Sequence, residues 1–201
     1  MNASDTNTKL PVHINHRNFY YPPGGILIWI LVFLELITFG AALMVMVYQG
    51  KSETELYAAM GSKMNVLAGS VNTLILLTSG YFMASGLQLF KKRAFRKAKY
   101  HLLITILLGI VFVGNKVMEY TAKLDMGLAL GTNTFMNYYW LLTGFHLIHV
   151  ITGLVILVII IWPIHKDPVA VDVLDLEAGG AFWHMCDLIW LFLFPVIYLI
   201  F

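Results

Sequence analysis

Charge is scarce in this sequence and cysteine almost absent. Only 12% of the 201 residues are Asp, Glu, Lys or Arg, against 59% hydrophobic, which is far from the balance of a soluble globular domain. The single cysteine, Cys186, rules out a disulfide within the chain and cannot supply the two thiolates of a mixed-valence copper pair. There is no internal repeat of the inverted-transporter kind and no low-complexity tract. The first 25 residues lack a short apolar core and a small-residue cleavage site, so they read as a cytoplasmic tail and not as a signal peptide. A net charge of +2 with one local basic run implies no nucleic-acid partner.

What fills the chain is long apolar runs. Crossing roughly 30 Å of hydrocarbon takes about 20 helical residues, and five such runs are present, near residues 26–48, 66–90, 101–120, 135–162 and 182–201. The fold expected is therefore an all-α membrane protein, a bundle of five transmembrane helices spanning residues 26–201 behind a tail of residues 1–25. Lys and Arg in short loops set orientation because they resist translocation. With the amino terminus inside, nine of them fall on the inner side and three, Lys51, Lys63 and Lys123, on the outer. The amino terminus is expected in the cytoplasm and the carboxyl terminus in the periplasm, across a bacterial inner membrane. The run KKRAFRKAK, with Arg93 and Arg96, lies just cytoplasmic of the second helix, where anionic lipid head groups attract it.

Ionisable side chains at membrane depth cost about 2.5–3.5 kcal/mol on insertion scales, so each needs a partner or a purpose. Glu35 lies nine residues into the first helix, about 14 Å along its axis and near the midplane. It is either a neutral acid hydrogen-bonded across helices or a group that handles protons or lipid, and the two roles are compatible. His146 and His149, three residues apart, share one face of the fourth helix with Thr143 and Gly153. His149 lies roughly 20 Å from the cytoplasmic end of that helix, so a contact from Glu35 to His149 or His146 satisfies both partners. Axial heme ligation by these two histidines is disfavoured, since such ligands approach from opposite faces of the ring. Structural hydrogen bonding is the favoured reading.

His184 and Asp187 form an i, i+3 pair read as lying one turn inside the fifth helix, available to each other or to a lipid head group. Lys116 and Glu119 permit another such pair, with Lys116 snorkelling outward. Gly80 and Ala84, Thr105 and Gly109, and Gly40 to Ala42 mark close helix approaches. Trp29, Trp140, Trp162 and Trp183 fall near helix ends as an aromatic belt.

The segments FLELITFG, NTLILLTSG, ITILLGIVFVGNKVMEY, TGFHLIHVITG and FWHMCDLIWLFLFP stand in order along the five helices, and together they resemble the cytochrome c oxidase subunit III family. The resemblance implies a five-helix form of a seven-helix fold. It aligns Glu35 with the family's carbodiimide-reactive carboxylate, while the placement of the residues themselves puts His146, His149 and Glu119 in an interhelical polar network. The resemblance further implies a subunit without a redox centre that partners subunit I, which holds heme and copper, and subunit II. Such a subunit binds phospholipid in a cleft, supports proton uptake and protects the catalytic subunit. Lys116 departs from the Gln common in oxidase subunits, and YYWLLTGFHLIHV and EAGGAFWHMCDLIW also resemble a paralogue associated with nitric oxide reductase. A stand-alone proton or ion carrier and a metal-dependent membrane enzyme using His146 and His149 are the competing classes.

Overall fold

The computed structural model describes residues 22–165, 167–168 and 171–201. They form helices α1 (Ile26–Ser52), α2 (Thr54–Gly61), α3 (Val66–Lys91), α4 (Phe95–Asp125), α5 (Thr134–Ile161) and α6 (Val173–Tyr198), with a single 3-10 turn over Trp162–His165. Five of these, all but α2, are long and apolar enough to cross a membrane. Of the sequence-read tail, residues 1–21 lie outside the described residues.

Helix ends extend beyond the apolar runs because polar residues continue a helix without penalty once it reaches the head-group layer. Thus α4 starts at Phe95, taking in the basic FRKAKY segment, and α6 starts at Val173, nine residues before the apolar run expected at 182. Asp172 explains the second case: its carboxylate accepts the backbone N–H of Leu174 and caps the helix. Asn65 and Asn133 cap α3 and α5 in the same manner.

The bundle is centred on α6. In the most apolar window of each helix 56% of α6 is buried but only 22% of α1, which packs against α6 and α5 and turns Phe33, Ile37 and Met44 outward. Between helices in lipid the hydrophobic effect has little to act on, so small residues and interhelical hydrogen bonds hold the bundle. On α3 and α4, Ser79 and Thr105 each donate their hydroxyl to the other's backbone carbonyl, at 3.0 and 3.3 Å. Trp183 then donates from Nε1 to the Ser79 hydroxyl at 3.1 Å, and Trp190 donates to Thr73 at 2.9 Å.

Trp183 therefore does not belong to an aromatic belt. It is fully buried, and the room for its ring comes from Gly109 and Gly153, where an added Cβ comes within 2.7 and 3.0 Å of the indole. Trp29, Trp140 and Trp162 remain at the helix ends, Trp162 being the most exposed.

At one end, which carries the basic α3–α4 turn, Glu177 joins three elements. It accepts the Gly24 N–H at 3.1 Å and pairs with Lys91 at 2.6 Å. Gly24, at φ +77°, lies so close to the Ala178 backbone that no side chain fits there. At the opposite end Phe201 packs on Gly50, Gly61 and the Tyr57 ring.

Tyr57 lies on α2 between membrane spans. Its hydroxyl is buried without a hydrogen-bond partner among the described residues, and burial, with Tyr138 and Glu53 nearby, pushes its pKa up to about 12. Between pH 10 and about 12 the unfolded chain releases this proton while the folded chain keeps it, so stability falls as pH rises through that window. Tyr57→Phe is expected to raise stability at neutral pH by about 1 kcal/mol, by removing an unsatisfied buried group, and to abolish Tyr57's share of the alkaline slope. Thermal denaturation in detergent at pH 7 and pH 11 checks both, and a destabilised variant at pH 7 contradicts the first.

Candidate functional site

About a third of the way along α1, Glu35 faces α5, and its Oε2 lies 3.4 Å from Nε2 of His149. The other ring nitrogen, Nδ1, is 2.9 Å from the Phe145 carbonyl. A carbonyl only accepts, so Nδ1 carries a hydrogen and the proton that decides the charge of the pair belongs to Nε2 or to Glu35. The two groups are in contact across α1 and α5, but the 3.4 Å approach is not a hydrogen bond: Glu35 Oε2 is buried with no hydrogen-bond partner among the described residues. Both side chains keep partial exposure, 13% for His149 and 18% for Glu35. Phe39, Phe145 and Phe182 wall the imidazole at ring separations of 5.8, 4.6 and 6.4 Å.

His146, one turn away on the same face, is 1% exposed, and neither of its ring nitrogens has a hydrogen-bond partner among the described residues. The structural hydrogen bonding expected for it is absent there; aromatic contacts hold it instead. Its ring stacks on Trp190 at 5.4 Å and 27°, and meets Phe112 edge-on at 6.0 Å. Each unsatisfied buried polar atom costs about 1–3 kcal/mol. His146→Phe keeps the ring contacts and removes both atoms, so it is expected to leave the melting temperature unchanged or higher. A loss of several degrees in detergent melting points to a partner that His146 holds in solution.

Glu119, expected beside these histidines, makes no direct contact with them but is joined to His146 through Lys116 and the Trp190 ring that both touch. Its Oε1 accepts from Tyr198 at 2.6 Å and Tyr139 at 2.8 Å, and its Oε2 pairs with Lys116 at 3.1 Å. Lys116 does not snorkel. It is 1% exposed, bonds to the Tyr198 hydroxyl, and lies 4.8–5.8 Å from the ring centroids of Tyr120, Tyr139, Trp190 and Tyr198. The reason is supply: a carboxylate and four aromatic faces replace water around the ammonium. Tyr120 is in turn fixed by the Thr143 hydroxyl at 2.9 Å. Tyr139 and Tyr198 were not legible as partners from spacing, because they come from α5 and α6; Tyr120, four residues after Lys116 on α4, stands at helical-neighbour spacing.

His184 and Asp187 do pair, Nδ1 to Oδ2 at 3.2 Å. Because α6 begins at Val173, they lie about three to four turns into it and not one. Asp187 is pressed against Gly80 of α3, leaving no space for a Cβ there, and its Oδ1 has no partner among the described residues. His184 lines a mostly apolar cavity of about 320 Å³ with Trp29, Met83, Leu188 and Glu177. A second, larger groove of about 860 Å³ runs between α1 and α6, lined by Phe33, Gly40, Leu43, Phe192 and Pro195 and reaching Lys51 at the opposite end.

Arg93 and Arg96 are exposed in the basic turn. Arg93 holds φ 58°, its N–H bonded to Phe90 O and the next N–H to Leu89 O, so the turn closes α3 in the left-handed cap usually reserved for glycine. Among the described residues, no group of three or more His, Cys, Asp or Glu side chains is placed to hold a metal ion.

Known proteins match along nearly the whole of this framework. A relative described as cytochrome c oxidase subunit 3 from Thermostichus vulcanus is 33% identical over 144 residues, covering 70% of this chain and 69% of its own length. One of the same description from Synechocystis is 31% identical over 142 residues, and the match covers 59% of it. A probable quinol oxidase subunit 3 from Staphylococcus saprophyticus is 25% identical over 180 residues, with 86% of each chain covered. The family model for cytochrome c oxidase subunit III matches residues 27–200, from the first turn of α1 to the end of α6. With all five spans and the Glu35–His149 pair inside that range, the chain belongs to the cytochrome c oxidase subunit III family.

Proposed function

We propose that this chain is the non-catalytic third subunit of a heme-copper terminal oxidase in aerobic electron transport. Its partners are subunit I, which carries the hemes and copper, and subunit II. It stabilises subunit I, holds a phospholipid in the α1–α6 groove, and supports proton uptake through Glu35. The observation that supports this reading is the contact of Glu35 with His149 across α1 and α5, at 3.4 Å, inside a family match spanning residues 27–200. The groove supports the lipid role by its size and its apolar walls. The nine-to-three distribution of Lys and Arg supports an orientation with the basic turn in the cytoplasm, where Arg93 and Arg96 meet anionic head groups.

Tagging the chromosomal copy and solubilising membranes gently tests the assignment. Recovery of an a-type or o-type heme protein that reduces oxygen is expected. Deletion should leave the heme spectrum intact and shorten the life of the enzyme during turnover. Lys116, where oxidase subunits commonly carry Gln, favours a second reading, association with nitric oxide reductase; recovery of a b- and c-type heme reductase in the same experiment would establish it. A colourless lone protein sinks both.

A further inference from the structure

Lys123, in the last turn of α4, is 2% exposed, yet the one bond its ammonium makes among the described residues is to the Lys63 backbone carbonyl at 2.6 Å. An ammonium donates three hydrogen bonds, and no described carboxylate lies within ion-pair distance of it. Glu119 is nearby but already engaged by Lys116, Tyr139 and Tyr198. Lys63 adds a second cation beside the first, and its own side chain is exposed. Both lysines line a groove of about 450 Å³ between the start of α3 and the end of α4, with Asn65, Asn115 and Glu119. The start of α3 contributes further positive potential, and the carbonyl end of α4 offsets only part of the cost of a buried cation. A buried positive charge in excess calls for an anion.

Depth identifies its source. From Phe95 to Lys123 α4 rises about 42 Å, the separation of the two head-group layers of a bilayer. With the exposed Arg93 and Arg96 turn in one phosphate layer, the Lys123 ammonium lies in the other.

We propose that Lys123 and Lys63 bind the phosphate of a net-anionic phospholipid, at a site on the α3–α4 face separate from the α1–α6 groove. Two cations against one phosphate discriminate against zwitterionic lipids, whose own amine already neutralises it.

The test is native mass spectrometry of the full chain, purified with its natural partners, delipidated, and titrated with phosphatidylglycerol, phosphatidylcholine or inorganic phosphate. Phosphatidylglycerol is expected to bind at least about tenfold more tightly than phosphatidylcholine. Lys123→Met should remove that preference, Lys123→Arg should keep it within about twofold, and Lys63→Gln should weaken it about threefold. Lys63 is exposed, so its variant carries no folding risk and reports even where Lys123→Met does not assemble. Equal binding of the two lipids, or Lys63→Gln and Lys123→Met both indistinguishable from wild type, overturns the proposal. So does displacement of phosphatidylglycerol by inorganic phosphate alone, which would make this a site for the free anion.

Discussion

Replacing Lys116 by methionine is expected to cost about 3–5 kcal/mol, the penalty for leaving one member of a buried ion pair without the other. The volume is nearly conserved and the aromatic cage remains, so the loss comes from Glu119. Two tyrosine hydroxyls still donate to its Oε1, at 2.8 and 2.6 Å, but its Oε2 loses the only donor it has among the described residues. Lys116→Gln should cost less, since its amide nitrogen can still donate to Oε2 although the Glu119 charge stays unpaired. The double variant Lys116→Met, Glu119→Leu should recover most of the single-variant loss, because it removes the stranded charge along with its partner. Melting of the purified protein in detergent ranks the three. If the double variant is as damaged as Lys116→Met alone, packing and not charge holds this region together.

Gly80→Leu is expected to be the most disruptive single change at a helix crossing. A Cβ on Gly80 already meets the Asp187 carboxylate, which is buried, paired with His184 and unable to retreat into water. Three further carbons have to part α3 from α6, and overpacking of this kind costs about 1–3 kcal/mol before any disturbance of the carboxylate is counted. The same movement separates Trp183 from Ser79 and Trp190 from Thr73. Loss of the folded protein from membranes is expected, read as its abundance after expression at two temperatures. Gly40→Leu on α1 is the control, since a Cβ there meets nothing within 4 Å. Equal abundance of the two variants would show that the α3–α6 crossing is not close in the membrane.

The spans were legible because 20 consecutive apolar residues admit few other readings in a chain with so little charge. The Glu35–His149 contact was legible for a simpler reason. Helical rise is constant, so counting residues from opposite helix ends placed both groups at similar depth. What depth cannot supply is rotation about each axis. His146 shares the face of His149, yet it meets Trp190 and Phe112 and not a carboxylate. Besides Lys116, which i, i+3 spacing does announce, Glu119 takes donors from residues 20 and 79 positions away, and no local spacing announces those. Trp183 looked interfacial from its place in an apolar run that turned out to start late. Its burial depends on two glycines, Gly109 and Gly153, on other helices. The extent of α6 was misjudged because the hydrophobic run, and not the Asp172 cap, was taken as its beginning.

The first helix has little interior packing, but it is secured at its ends. Gly24 at one end hangs on Glu177, and Gly50 at the other abuts Phe201. Such a helix behaves as a strut: its fastenings, and not its flanks, fix how far each residue lies along the membrane normal. The level at which the Glu35 carboxylate meets the imidazole is therefore set by two residues of the carboxyl-terminal segment, each more than 140 positions away in the chain. Lipid-facing residues on that strut can be exchanged freely without moving the carboxylate, whereas loosening either fastening shifts it out of line with His149.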